Sequence, residues 1–235
     1  MSDSLPPGQR ESKIFPRFGL TPFAKRFPRE SVARLKITGA VTNELNLVDV
    51  LKDLPRTEQL SDFHCVTTWS ARGLRWGGVR FADFYSNIVV PQAKPQTDAT
   101  LVAMRAQDGA RTALPLKDLL ASDVLLADTL NGEPLDVDHG APLRLVAPAH
   151  YGYKSVKYLS ELEFRPPSLN YRVSGPSFMD HPRARVALEE RGRVASGWLL
   201  RYLYRPLIGS TVKLFAKESA KYKAANANNT EANTQ

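Results

Sequence analysis

The sequence is organised around Asp62-Phe63-His64-Cys65-Val66-Thr67-Thr68-Trp69-Ser70, which continues through Arg75-Trp76-Gly77-Gly78-Val79. This stretch holds the only cysteine among 235 residues. The β-branched run from His64 to Thr68 predicts a strand, and Gly73 to Gly78 predicts the turn that follows it. A single thiol at the end of a strand can act as a nucleophile, as a metal ligand or as a small buried hydrophobe. The stretch alone leaves these three interpretations open.

The composition is that of a globular protein, with 43% hydrophobic and 24% charged residues. One cysteine excludes an intrachain disulfide and a zinc site built on several thiolates. The N-terminus lacks the charged region and apolar run of a secretory signal. No stretch reaches the roughly 18 apolar residues that cross a bilayer. We therefore expect a cytoplasmic protein without a transmembrane segment.

The net charge of +8 is concentrated at the two ends of the chain. Residues 1–36 carry +5, residues 37–164 carry −4 and residues 165–235 carry +7. Basic ends of this kind bind acidic partners, membrane surfaces or nucleic acid, or are simply solvated extensions. The acidic middle argues against nucleic acid as the partner.

Residues 1–31 predict an extended N-terminal arm. Prolines at positions 6, 7, 16, 22 and 28 fix the backbone and withhold hydrogen-bond donors, which disfavours a long helix. Phenylalanines recur between the basic residues of the arm. We expect these rings to hold the arm against the domain.

Residues 32–165 predict one α+β domain, because short strands and short helices alternate without regular βαβ spacing. Thr42 to Leu51 is expected to form a short strand that runs into a helix at Leu47–Leu51, and further short helices are expected within Val79–Tyr85 and Leu114–Ser122. Turns are expected at Asp108-Gly109 and Asn131-Gly132. The expected strands are Arg34–Thr38, Thr100–Arg105, Leu125–Leu130 and Leu143–Ala147, with a last strand or short helix–strand element within Val156–Phe164.

Residues 166–216 predict a helical C-terminal extension. The stretch from Pro182 to Tyr204 has helical spacing of its apolar residues, and Pro206 should end it. Gly192 and Gly197 interrupt the stretch, so it forms one helix or two. From Lys217 onward the chain offers almost nothing to bury, so residues 217–235 are predicted to be a disordered tail.

Two later segments carry groups suited to an anion. The first runs from Asn131 to Val146 and contains Arg144, whose planar guanidinium suits phosphate. The second, Pro148 to Leu159, adds the charges of Lys154 and Lys157 and glycine-bearing turns that let backbone approach a ligand. The spacing alone fits an anion site or an ordinary solvated surface.

Three motifs occur in order: Cys-Val-Thr-x-Trp-Ser with Trp-x-Gly-Val, Asn-Gly-Glu-Pro-Leu with His-Gly-Ala-Pro-Leu-Arg-Leu-Val-x-Pro, and Tyr-Gly-Tyr-Lys-Ser-Val-Lys-Tyr-Leu. Together they resemble the molybdopterin-binding domain of the sulfite oxidase family, which includes bacterial catalytic subunits that reduce methionine sulfoxide in proteins. The resemblance covers residues 32–165. It implies a sulfite-oxidase-type fold with mixed sheets and short helices.

The resemblance also implies a molybdenum atom held by one molybdopterin and by one protein thiolate, at the position of Cys65. His139 and Arg144 stand where the family contacts the cofactor. Ser155, Val156 and Lys157 match the stretch that surrounds the pterin phosphate. The implied function is a molybdenum-dependent oxidoreductase that moves an oxygen atom and two electrons to or from a small oxyanion or sulfoxide. Electrons would pass through a separate redox partner protein.

This chain also departs from the family. Trp69 and Ser70 stand where animal and plant sulfite oxidases have arginines that hold sulfite, which argues against sulfite as the substrate. His139 replaces the asparagine of the branch that reduces methionine sulfoxide. Trp69 and Trp76 are candidates for pocket walls or for core packing.

Two other functions are weighed against the enzyme. A non-catalytic protein that binds molybdopterin or a partner would keep the same motifs without turnover. A cysteine hydrolase using Cys65 and His64 is disfavoured, because adjacent side chains on a strand point to opposite faces.

Overall fold

The computed structural model describes residues 4–167 and 171–232, in which two mixed β-sheets pack with short helices. In chain order the strands are β1 (Arg10–Glu11), β2 (Arg34–Gly39), β3 (Leu45–Val48), β4 (Arg56–His64), β5 (Trp69–Arg80), β6 (Leu101–Ala106), β7 (Arg111–Pro115), β8 (Leu125–Leu130), β9 (Glu133–Pro134), β10 (Arg144–Val146) and β11 (Leu159–Arg165). The α-helices are α1 (Phe81–Phe84), α2 (Leu116–Leu119), α3 (Gly197–Tyr204) and α4 (Leu207–Ala232). A π-helical segment, Tyr85–Ala93, continues α1. The predicted α+β class is confirmed.

The first sheet is built around the long strand β5. Antiparallel β4 lies along one side of β5, while β8 and the two-residue β1 share the other side. Strand β10 pairs with β8. The second sheet has the order β3-β2-β11-β6-β7, with β2 and β11 parallel and the other pairs antiparallel. The hairpins predicted at Asp108-Gly109 and Asn131-Gly132 are present.

The stretch around the cysteine differs from the sequence prediction. A strand was predicted from His64 to Thr68. In the structure β4 ends at His64, and Cys65 to Thr68 form a tight turn between β4 and β5. Residues Gly73 to Gly78, predicted as a turn, lie inside β5. Gly77 and Gly78 are needed there because β8 approaches closely: a Cβ on Gly78 would lie 2.1 Å from the carbonyl oxygen of Leu126. Close backbone approach is the other common reason for glycine in a strand.

Two further local predictions are wrong. Leu47–Leu51 ends strand β3 and turns, with Asp49 at φ +51°, so there is no helix here. Of the one or two helices predicted from Pro182 to Tyr204, only α3 forms. Residues 182–196 are irregular, with Ala184 and Glu189 both at φ +54°, outside the helical region, and with Arg185 paired to Glu190.

The tail predicted to be disordered from Lys217 is helical as far as Ala232. Helix α4 is held to the body of the protein by side chains that the tail composition does not reveal. Phe215 is buried, the ring of Tyr222 stacks on Phe27 at 4.0 Å, and Lys223 forms an ion pair with Asp138. The predicted tail residues 233–235, like arm residues 1–3 and extension residues 168–170, lie outside the described part of the chain.

The hydrophobic core has two parts. The larger part lies between the second sheet and the α1 region, and includes Phe81, Phe84 and Phe164. The smaller part surrounds Cys65 and includes Trp69 and Trp76 from β5. Phenylalanines of the N-terminal arm pack against this smaller core, so the expectation that the arm lies on the domain is confirmed.

Candidate functional site

Cys65 opens the turn between β4 and β5. Its N–H donates to the carbonyl of Trp69 at 2.8 Å, and the N–H of Thr68 donates back to the Cys65 carbonyl at 3.0 Å. Thr68 adopts φ +90°, which closes the turn. The thiol is buried, and its Sγ lies 3.1 Å from the hydroxyl of Thr67. Burial raises the pKa of the Cys65 thiol, so without a cation bound at the sulfur the group is neutral.

Side chains from both ends of the chain hold this turn in place. Gln9 of the arm donates from Nε2 to the carbonyl of Cys65 at 3.1 Å. Arg191, which is fully buried, donates to the carbonyls of Val66 at 2.5 Å and Pro7 at 3.1 Å. Because a buried charged donor that bonds two carbonyls loses much if either is missing, the position of the turn is strongly fixed. Neither Gln9 nor Arg191 belongs to the three sequence motifs.

His64 does not serve the thiol. Its Nδ1 lies 2.8 Å from the hydroxyl of Ser70, and that hydroxyl donates to Oε1 of Gln9 at 2.9 Å. Ser70 has one proton to give, so His64 must donate Nδ1–H to it. This hydrogen bond holds the imidazole against β5, and among the described residues the Cys65 thiol contacts the hydroxyl of Thr67 and not the imidazole, so the nucleophile–base pair of a cysteine hydrolase is not formed there.

A cavity of about 310 Å³ opens beside the cysteine turn. Five of the six predicted site residues line it: Cys65, Arg144, Ser155, Val156 and Lys157. They come from the β4–β5 turn, strand β10 and the loop before β11, which are distant in sequence. The volume lies within the usual range for small-molecule pockets. The fold therefore gathers the thiol and the anion-binding candidates at one place.

Arg144 is fully buried, and it forms no ion pair with a carboxylate of the described residues. Its guanidinium donates to the backbone carbonyls of His139 at 2.6 Å, Ser155 at 3.2 Å and Leu145 at 3.4 Å. The Trp76 ring covers the guanidinium at 4.7 Å. Burial lowers the pKa of Arg144 to about 9. Because burying a charge without a counter-charge is costly, an anion bound beside Arg144 would stabilise the guanidinium.

The two lysines of the third motif have different surroundings. Lys154 is fully buried and bonded to Asp180 at 3.0 Å and to the carbonyl of Ala113 at 2.9 Å, so it is a structural residue. Lys157 forms no ion pair among the described residues, and its Nζ lies 3.5 Å from the carbonyl of Asp138. Burial and the nearby charges of Arg144 and Arg17 lower the pKa of Lys157 to about 7. Only Lys157 has its charge available to a ligand.

His139 is the one predicted site residue that does not line the cavity. Its Nδ1 lies 2.7 Å from Oδ1 of Asp136, and its Nε2 lies 2.9 Å from the carbonyl of Phe15. Both neighbours are hydrogen-bond acceptors. The side-chain hydrogen bond with His139 is the main reason that the pKa of Asp136 is lowered to about 2. His139 joins the arm to the loop that leads into Arg144 of β10.

The arm and α4 complete the cavity wall, and neither was expected to do so from the sequence. Phe15, Arg17 and Phe18 of the arm line the cavity together with Thr211 and Phe215 of α4. Arg17 donates to the carbonyls of residues 23, 24 and 26, and it lies over the rings of Phe27 and Phe215. The alternation of phenylalanine and basic residues in the arm was the available sequence clue.

The residues present fit a bound, anionic, metal-bearing cofactor. The cavity is lined by one thiol and by four cationic side chains that form no ion pair in the described part of the chain, Arg17, Arg111, Arg144 and Lys157. It is also lined by Trp69, whose buried Nε1–H has no hydrogen-bond partner among the described residues. Buried donors of this kind are rare and call for a ligand or an ordered water. A soft metal at the sulfur and a phosphate at the cations would satisfy these groups together.

Residues 25–170 match the family model of the oxidoreductase molybdopterin-binding domain. The chain belongs to this family. The match confirms the class that the three motifs implied, a molybdenum-dependent oxidoreductase with a molybdopterin-binding domain. The matched range extends a few residues beyond the predicted domain, 32–165, at both ends.

Curated relatives of this family member include the uncharacterized oxidoreductase YuiH of Bacillus subtilis, 37% identical over 69% of this chain and 80% of that protein. The protein-methionine-sulfoxide reductase catalytic subunit MsrP of Xanthomonas campestris is 28% identical over 75% of this chain. The alignment covers 56% of MsrP, so the chain spans about half the length of that relative.

A solved structure supports the fold assignment. The sulfane dehydrogenase SoxCD of Paracoccus pantotrophus superposes with a TM-score of 0.50 at 23% identity, over 59% of this chain and 39% of that chain. This likeness concerns the fold alone. It confirms the predicted sulfite-oxidase-type architecture of mixed sheets and short helices.

Proposed function

We propose that this chain is a molybdopterin enzyme that reduces a sulfoxide or a small oxyanion by two-electron oxygen-atom transfer. For a sulfoxide, the S–O bond breaks, the sulfur gains two electrons, and the oxygen leaves as water after taking up two protons. The electrons come from a separate donor protein. The proposed location is the cytoplasm, consistent with the single cysteine.

One observation carries the proposal: the only thiol of the chain and the unpaired cations Arg144 and Lys157 line the same cavity. A thiolate suits a soft metal, and the cations suit the cofactor phosphate. The relatives named as methionine-sulfoxide reductases favour a sulfoxide over other oxygen donors. Trp69 and Ser70 support the same choice, because neither supplies the positive charge that would hold sulfite.

Each residue of the site has its own proposed role. Cys65 is the proposed metal ligand, and Gln9 and Arg191 fix its turn through backbone carbonyls. Arg144 and Lys157 bind the phosphate, while the backbone at Ser155 and Val156 shapes that end of the cavity. The bound cofactor supplies the oxygen-atom transfer. The Nε1–H of Trp69 is the proposed donor to the substrate oxygen, since the described protein leaves it unpartnered.

Metal analysis tests the ligand assignment. Protein made in a molybdenum-replete host should contain close to one molybdenum per chain, and Cys65→Ala should contain almost none. Cys65→Ser separates loss of sulfur from loss of any ligand, because a hydroxyl can still coordinate. Ser160→Ala, outside the cavity, is the control and should retain the metal. Folded wild-type protein that stays free of molybdenum contradicts the proposal.

A substrate screen tests the reaction class. With an artificial electron donor, the metal-loaded protein should reduce methionine sulfoxide or a simple alkyl sulfoxide faster than nitrate or chlorate, and should not oxidise sulfite. Preference for nitrate or chlorate would reassign the substrate to an oxyanion. Full loading without turnover on any of these compounds would favour the alternative, a non-catalytic molybdopterin-binding protein of the same fold.

A further inference from the structure

Helix α3 exposes an apolar face to solvent. Four large side chains within its two turns are 44–61% exposed: Trp198, Leu199, Tyr202 and Leu203. The opposite side of the helix is also apolar, with Leu200 and Tyr204 buried against the protein. A surface helix normally carries polar residues on its outer side, and one that is apolar all round is covered by something. These four exposed residues are called the α3 face.

The apolar surface continues beyond both ends of the helix. Val194, before α3, is 82% exposed, and Leu207, at the start of α4, is 52% exposed. The rings of Trp198 and Tyr202 contact each other edge to face, with centroids 6.5 Å apart. Exposed apolar residues therefore recur along the chain from Val194 through the α3 face to Leu207, and this set is called the strip.

The charges around the strip are positive. Residues 185–205 contain five arginines and two glutamates, a net charge of +3. Glu189 is bonded to Arg191 and Arg201, and Glu190 is bonded to Arg185, so both carboxylates are already neutralised. Within the described part of the chain, Arg193 and Arg205 form no ion pair and flank the strip with free positive charge.

The combination of an apolar α3 face with positively charged flanks indicates which kind of partner covers it. A second copy related by a two-fold axis would bring the same arginines face to face, which electrostatic repulsion disfavours. Tryptophan and tyrosine prefer the boundary between headgroups and acyl chains, because their rings are apolar and their N–H or O–H groups are polar. Leucines that insert and arginines that meet lipid phosphates complete the pattern of an in-plane membrane helix. Among the described residues, no helix is both long and apolar enough to cross a membrane.

We propose that the α3 face docks this protein on the surface of an anionic lipid bilayer. Trp198, Leu199, Tyr202 and Leu203 enter the headgroup boundary, and Arg193 and Arg205 contact lipid phosphates. Tyr204, on the inner side of α3, lines the cavity beside Cys65. Docking therefore places the cavity about one helix diameter, roughly 10 Å, from the bilayer. The inference does not depend on the bound cofactor or on the substrate.

Tryptophan fluorescence provides the test, because the chain has three tryptophans and two of them are buried. Trp69 and Trp76 are 6% and 1% exposed, so a change in emission on docking reports Trp198. Cofactor-free or loaded protein is mixed with phosphatidylcholine vesicles that contain about one-third phosphatidylglycerol, and with pure phosphatidylcholine vesicles. We expect sedimentation with the anionic vesicles and a blue shift of emission, both weaker at high salt. Leu199→Ser/Leu203→Ser should lower vesicle partitioning by at least about tenfold.

Val48→Ser/Leu60→Ser is the matched control, since these exposed residues lie on β3 and β4 and carry similar exposure. It should bind vesicles like the wild type, and all variants should keep the wild-type thermal midpoint. The proposal is overturned if wild-type protein stays in the supernatant with unchanged emission. It is also overturned if the α3 variant partitions like the control. If the wild-type protein does not bind vesicles but is a dimer, and the α3 variant is a monomer, the α3 face is assigned to a second copy of the chain instead. Protection of Trp198 only by an acidic protein assigns it to a protein partner.

Discussion

The carbonyl oxygen of Phe15 accepts a hydrogen bond from Nε2 of His139 at 2.9 Å, and the two rings stack with centroids 4.8 Å apart. The backbone carbonyl of His139 in turn accepts a hydrogen bond from the guanidinium of Arg144. One residue of the arm is thus connected through one histidine to the buried cation of the cavity. The arm is a wall of the site, and its order depends on this contact.

Phe15→Ala should release the arm while the body of the protein stays folded. The ring contacts Phe63, Trp69, Trp76 and His139, and losing a packed phenylalanine costs about 3 kcal/mol or more locally. Trypsin should then cut at Lys13, Arg17 and Lys25 at least about tenfold faster. Ile14→Ala is the control, because Ile14 is 60% exposed. Equal cleavage rates for both variants would show that the Phe15 contacts do not hold the arm.

Lys157→Met and Lys154→Met are expected to change the stability of cofactor-free protein in opposite directions. Lys157 forms no ion pair among the described residues, and its lowered pKa shows that its charge is unfavourable in the folded state. Removing that charge should raise the free energy of unfolding by at least about 1 kcal/mol, the cost of a one-unit pKa depression. The same substitution should abolish retention of a phosphate-bearing cofactor.

Lys154→Met should destabilise the protein by about 3–5 kcal/mol, because it leaves Asp180 buried without its counter-charge. Urea unfolding at pH 6, where both wild-type lysines are protonated, measures the two variants side by side. Changes of the same sign would contradict the separation of a structural lysine from a ligand-binding one.

Binding of an inorganic anion should weaken as pH rises through about 7. The folded-state pKa of Lys157 is about 7, below the ordinary value of 10.5. The cost of charging Lys157 in the folded protein is therefore fully present below pH 7. It is relieved as pH rises from 7 towards 10.5, so cofactor-free protein gains stability there. An anion needs the protonated form, so its affinity should fall by up to about tenfold per pH unit above 7.

Sulfate is the suitable probe because its own charge is constant between pH 6 and 9. Titration calorimetry should show the decline for wild-type protein and a much flatter profile for Lys157→Arg, which keeps its charge over this range. A wild-type profile as flat as that of the arginine variant would remove Lys157 from the anion site.

The sequence alone predicted the α+β class and the strands β2, β6, β8, β10 and β11, but it did not predict β4, β5 or β7. The apolar segments Thr100–Arg105 and Leu125–Leu130 agree with strands β6 and β8 to within one residue. The strand prediction failed at Cys65–Thr68, where β-branched residues form a turn because Thr68 adopts φ +90°. Local propensity does not report a backbone conformation that tertiary contacts impose.

The composition of the candidate site was partly predictable. The three motifs supplied Cys65, Arg144 and Lys157, which line one cavity. They did not supply Gln9, Arg17 or Arg191, since these residues lie in segments without a motif and act through backbone carbonyls. Nor did they show that Lys154 is neutralised by Asp180, a residue outside the predicted domain. Pairing between distant segments is a property of the fold that spacing does not encode.

The last prediction concerns the two glycines of β5, which approach β8 in different ways. A Cβ on Gly77 would lie 2.2 Å from the side-chain oxygen of Thr129, whereas a Cβ on Gly78 would lie 2.1 Å from the backbone oxygen of Leu126. Both Gly77→Ala and Gly78→Ala should therefore lower the free energy of unfolding, by about 2–4 kcal/mol.

Thr129→Ala should restore most of the loss for Gly77→Ala, because it removes the clashing atom. Thr129→Ala should restore nothing for Gly78→Ala, because the clashing atom there is a backbone oxygen that no side-chain substitution removes. Gly209→Ala, in α4 with open space around the Cβ position, should instead stabilise by up to about 1 kcal/mol. Urea unfolding of the two double variants decides the matter: equal rescue would mean that β8 shifts as a unit and that the close approach at Gly78 is not what requires glycine in this strand.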